Sequence, residues 1–191
     1  MTVDRIGAEG TAVKKRAPLL VVLAAAWGLA LGWQTFGAQS IPPELGQGWL
    51  PEFTLTSRQL LQLAEATPAE KFGWRPAPGV RSISEVYMHI AAGNLWLLDQ
   101  AGLKTPEFGK LPKDPEKAVT AKAEVMQWLR TSQDVVKRSY QTAERQKQVQ
   151  FFGKDASVDG VFLRLLLHYN EHLGQSIAYA RMNGIVPPWS Q

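Results

Sequence analysis

His168 and His172 stand four residues apart in the stretch LLLHYNEHLGQS, residues 165–176, and the chain of 191 residues has one other histidine, His89. Imidazoles at i and i+4 lie about 40° apart on a helix, close enough to share one ion. Neutral ring nitrogens at about 2.0–2.1 Å suit a divalent transition metal. Three of them leave a position open, where such an ion lowers the pKa of bound water to about 7 or holds a substrate thiolate or carbonyl. The plainer expectation is that each histidine is a core residue satisfied by one hydrogen bond.

Residues 168–172, HYNEH, also match H-x-x-E-H, the order used by inverzincin proteases. Context removes this reading. Those sites take a further ligand from a downstream glutamate, and residues 174–191 contain no Asp or Glu. Glu171 is turned about 100° from His172, toward Arg164 and Gln175 on the solvent side. The chain has no cysteine, which excludes disulfides, thiolate ligands and a cysteine nucleophile.

Few other groups can assist an ion. Glu85, one turn before His89, is a candidate proton acceptor, with helix capping as its alternative role. Gln175 and Ser176, three and four residues after His172, are placed to orient water or a ligand, or to form a polar pair at the edge of the helix. Tyr87, Tyr169 and Trp96 read as core or rim.

The elements that must carry these residues read as helices. Residues 41–51, with three prolines and two glycines, form a lead-in, and the linker is placed at residues 41–54. Leu55, Leu60, Leu61, Leu63 and Ala64 then give a first amphipathic run ending near Pro68. Ser82-Ile83-Ser84-Glu85 has capping-box spacing and predicts the start of a second helix, which carries His89 and ends at Gly102. Residues 102–116 form a long, proline-punctuated loop, long enough for part of it to cover an opening. A polar third helix runs from about Ala118 or Thr120 to Ala143. After a short extended piece at residues 149–153, a fourth runs from about Ser157 or Asp159 to Asn183. Four such helices predict an all-α, antiparallel four-helix bundle.

Ahead of it, Lys14-Lys15-Arg16 precede 17 uncharged residues, Ala17 to Trp33, and small residues at Ala38 and Ser40. This is the pattern of an export signal cleaved near Ala38 or Ser40, or of a retained membrane anchor over residues 17–33. Both place the folded part outside the cytoplasm, periplasmic or secreted. The whole chain carries +4, but residues 41–191 hold 17 basic and 15 acidic side chains. With no basic run interleaved with aromatics, no nucleic-acid partner is expected.

The loop-helix unit FGWRPAPGVRSISEVYMHIA, residues 72–91, and the closing unit HYNEHLGQSIAYARMNGIVPPW, residues 168–189, resemble the DinB-like family of metal-binding four-helix bundles. The resemblance spans residues 55–189 and implies a metal triad of His89, His168 and His172 that takes zinc or nickel. It also implies a possible homodimer. Relatives include thiol-dependent transferases that use cytosolic low-molecular-weight thiols. An export signal does not fit that activity. The resulting expectations are a metal-dependent hydrolase or transferase of unassigned substrate, or a non-catalytic metal-binding or sensing bundle.

Overall fold

Pro51 lies inside the first helix rather than ahead of it. In the computed structural model, which describes residues 41–190, α1 runs Trp49–Ala66, so the lead-in is shorter than the expected 41–54. The first-turn amides of a helix have no intrahelical acceptor, so a proline there removes no hydrogen bond. Tertiary contacts draw the start forward. The Trp49 indole N–H donates to the Phe162 carbonyl at 2.9 Å, and its ring stacks on Tyr140 at 4.2 Å and on Phe53 at 5.1 Å. Such an aromatic cluster contributes about 0.5–1.5 kcal/mol per pair beyond its buried area.

α2, Ile83–Gln100, begins with the capping box its sequence predicts. The Ser82 hydroxyl accepts from the Glu85 amide at 3.3 Å, and the Glu85 carboxylate accepts from the Ser82 amide at 2.6 Å. The long loop that follows contains a 3-10 turn at Phe108–Lys110 and a single-turn helix, α3, at Pro115–Ala118. α4 spans Lys122–Thr142.

The extended piece is one arm of a hairpin. β1, Gln148–Phe151, pairs antiparallel with β2, Lys154–Ser157, setting Gln148 opposite Ser157 and Phe151 opposite Lys154. Phe152 and Gly153 turn the chain with φ of 50° and 74°. Two positive-φ residues in a row match the right-handed twist of a two-residue hairpin. Ser157 then caps α5, Val158–Met182, its hydroxyl accepting from the Gly160 amide at 3.0 Å.

α1 and α2 each pack against both α4 and α5, which gives the expected bundle with α3 and the hairpin as additions. Phe53, Leu60, Ile90, Leu95, Leu129, Leu165 and Tyr169 are fully buried at its centre. Polar links also cross this core. Gln133 on α4 donates to the Tyr169 hydroxyl at 2.6 Å, and Asn94 on α2 donates to Ser132 on α4 at 3.2 Å. Tyr169 and Tyr87 are therefore core residues, whereas Trp96 keeps 37% of its surface exposed at the rim.

Among the described residues no helix is long and apolar enough to cross a membrane. The segment with the export or anchor pattern, residues 1–40, lies outside the described residues.

Candidate metal centre

α2 presents His89 toward α5, and α5 presents His168 and His172 from successive turns. The ring centroids of His89 and His168 are 5.0 Å apart, those of His89 and His172 4.6 Å, and those of His168 and His172 4.7 Å. One nitrogen from each ring lies within 4.8 Å of the other two. All three rings are half-buried.

Outer partners fix which nitrogens are free. Nδ1 of His89 meets Glu116 Oε1 at 2.7 Å. A carboxylate only accepts, so this nitrogen carries the proton and Nε2 keeps its lone pair. Glu116 is itself held by Arg81 at 2.6 and 3.2 Å. Nδ1 of His172 meets the Gln175 oxygen at 2.8 Å, while the Gln175 amide nitrogen donates to the Tyr179 hydroxyl at 3.0 Å. The Nε2 lone pair of His172 is therefore free as well. Gln175 thus orients a ring rather than a water, and Ser176 turns back to the His172 carbonyl at 2.7 Å.

Among the described residues His168 has no such partner. Its Nδ1 is buried and unbonded, and its Nε2 lies 3.1 Å from Nε2 of His89. Two nitrogens bound to one ion at ordinary metal–nitrogen lengths stand roughly 2.9–3.4 Å apart. The observed spacing fits. On its other side the ring is held by packing, because a Cβ added at Gly93 would come within 2.7 Å of its Cε1.

The electrostatics favour the neutral form of His168 and His89. Burial lowers the pKa of His168 to about 4, helped by neighbouring His172 and His89. Burial also lowers His89, and Arg81 and His172 add to this while Glu116 opposes it. Neutral imidazole is the form that ligates an ion.

Glu85 is not placed to act as a proton acceptor. Its carboxylate, 5% exposed, pairs with Arg75 at 3.1 Å and Lys117 at 2.5 Å in addition to the Ser82 amide. Burial pushes this carboxyl up, but Lys117, the Ser82 amide and Arg75 outweigh it and hold the pKa at about 2. Glu85→Gln should therefore cost about 1–3 kcal/mol at pH 7. The folded pKa lies below the reference value of 4.5, so this stability is present above pH 4.5 and lost as pH falls toward 2. Urea titrations of metal-free protein should show the wild-type advantage over the variant shrinking from pH 5 to pH 3. A constant gap would contradict the assignment.

Sequence reading missed Glu116, which sits in a charged loop of the kind usually left in solvent. The Asp114-Pro115 step was the available signal, since proline favours the first position of a helix and α3 starts there. Glu116→Gln is expected to weaken metal affinity about 10–100-fold, the usual effect of losing such an outer partner, with stoichiometry kept at saturating metal. Competition with a chromogenic chelator measures it. An unchanged affinity would mean the His89–Glu116 bond does nothing for the site.

Fold and triad together define a helical bundle whose facing helices carry a group able to hold a metal. Residues 52–176 match the DinB superfamily, and the chain belongs to that superfamily. Among solved structures it is similar to a DinB-like protein from Bacillus cereus ATCC 10987, with a TM-score of 0.65 at 20% identity. That match covers 74% of this chain and 95% of the other. It bears on the fold. No curated protein matches significantly.

Proposed function

We propose that this is an exported DinB-superfamily protein whose histidine triad binds one divalent transition metal, zinc or nickel, and that the centre serves a metal-dependent hydrolase or transferase. The observation that carries the reading is the convergence of three imidazoles, two of them with Nδ1 committed to Glu116 and Gln175 so that Nε2 is left for the shared point. A bound ion would supply Lewis acidity at a position the three rings leave open. Glu116 would hold the His89 ring and balance charge behind it. Gln175, steadied by Tyr179, would do the same for His172 without adding charge.

A second reading is favoured by a different observation. Glu116, which bonds His89, and Glu85, one turn before it on α2, are both paired with cations. A non-catalytic metal-binding or sensing module, possible as a homodimer, needs no free proton acceptor.

Elemental analysis of tag-free protein, beside His89→Ala, tests the shared premise. About one transition metal per chain, lost in the variant, is the expected result. No metal after reconstitution would refute both readings. Turnover of ester or thiol substrates by the loaded protein would then separate the enzyme from the binding module. N-terminal sequencing of processed protein tests export, with a first residue near Gln39 or Ile41 expected.

A further inference from the structure

A cavity of about 460 Å³ opens directly beside His89. It is lined by Ala92, Gly93 and Trp96 of α2 and by Phe108, Leu111 and Pro112 of the long loop. Among the described residues its lining contains no Lys, Arg, Asp or Glu. Glu116, the partner of His89, is paired with Arg81 at 2.6 Å. The apolar surface continues outward, where Trp96 packs on Phe152, 72% exposed, at 5.5 Å.

The volume lies within the range of roughly 300–1,000 Å³ typical of small-molecule sites. Its chemistry is one-sided. A polar body placed there would lose its hydration and find almost no hydrogen-bonding partner, at a cost of roughly 1–3 kcal/mol for each buried polar group. An aromatic or branched aliphatic body would instead bury apolar area against Trp96, Phe108 and Leu111. Gly93 also joins the cavity to the triad, since a Cβ added there would come within 2.7 Å of His168 Cε1.

We propose that this cavity holds the uncharged apolar body of a small-molecule ligand whose metal-seeking head, such as a thiol, lies at the histidine triad. The position of the head rests on the metal reading of the triad; the apolar body rests on the cavity alone. Polyhydroxylated or multiply charged thiols are excluded as preferred ligands by the same lining. The long loop contributes both a wall of the cavity and, through Glu116, the outer partner of His89, so the two halves of the site share one support.

Two probes separate the halves. Metal-free protein is titrated with toluene while the Trp96 indole N–H resonance, assigned with Trp96→Phe, is followed by NMR. A saturable shift is expected. Cobalt-loaded protein is then titrated with 2-phenylethanethiol and 2-mercaptoethanol, following the sulfur-to-cobalt absorption band. The phenyl thiol should bind roughly tenfold tighter or more, and Leu111→Asp should bring the ratio near one. Equal affinities of the two thiols, or an unmoved Trp96 signal, would overturn the proposal. So would a Trp96 signal that shifts with protein concentration alone, which would mean a second copy covers the cavity. Failure to load cobalt while toluene still moves Trp96 would overturn the reading of the triad and support the apolar subsite.

Discussion

His172→Ala should bind no stoichiometric metal while remaining helical. The triad has no spare ligand: among the described residues the only group of three or more His, Cys, Asp or Glu side chains close enough to hold an ion is His89, His168 and His172. Removing one ligand from three leaves a two-histidine site, and each lost ligand weakens a transition-metal site by orders of magnitude. The fold should tolerate the change. His172 is half-buried, and its hydrogen bond is to Gln175, one turn along the same helix. Elemental analysis and circular dichroism on one sample decide the matter. A variant that keeps one ion per chain would mean the triad is not the site.

The second large effect is expected at a residue that ligates nothing. Gly93→Ala places a methyl 2.7 Å from Cε1 of His168 and 3.4 Å from both its ring nitrogens. Alanine gains about 1 kcal/mol of helix propensity over glycine, and overpacking costs about 1–3 kcal/mol. The net cost is about 0–2 kcal/mol, so the metal-free protein should still fold, with a modestly lowered thermal stability. Metal affinity should not survive. The ring can relieve the clash only by turning, and no bond at Nδ1 holds it to its present place. A loss of about 100-fold is expected, at the upper end of the effect of deleting an outer partner. Gly174→Ala is the control, because nothing lies within 4 Å of its added Cβ. That variant should be slightly more stable and bind metal as before. Wild-type affinity in Gly93→Ala would show that the His168 ring has room the packing does not suggest.

The bundle was legible because its signals are local. The Ser82 to Glu85 spacing marks the start of α2, the spacing of His168 and His172 marks one face of α5, and glycines at 102 and 184 take the positive φ that ends α2 and α5. What the sequence hid depends on distant chain. α1 begins at Trp49 because its ring finds Tyr140 and Phe162, contacts no periodicity can reveal. β2, with the composition Lys-Asp-Ala-Ser, has almost no strand propensity and exists through its pairing with β1. The site divides the same way. The histidines could be named from type and spacing, and Gln175 from its place three residues after His172. Glu116 could not, because its partner lies on another helix. Glu85 was ambiguous until Arg75 and Lys117 were seen to close on it.

The chain has no cysteine, yet His89 and His168 lie 79 residues apart in sequence and 3.1 Å apart at their Nε2 atoms. An ion shared between them would close a loop as long as many disulfide loops. In the chain-entropy picture, a crosslink of that span restricts the unfolded ensemble by about 4–5 kcal/mol. Such a staple ignores the redox state of its surroundings and answers to the supply of metal. Scarcity or a competing chelator would loosen α2 from α5, and hydrogen exchange at that seam would register metal availability directly.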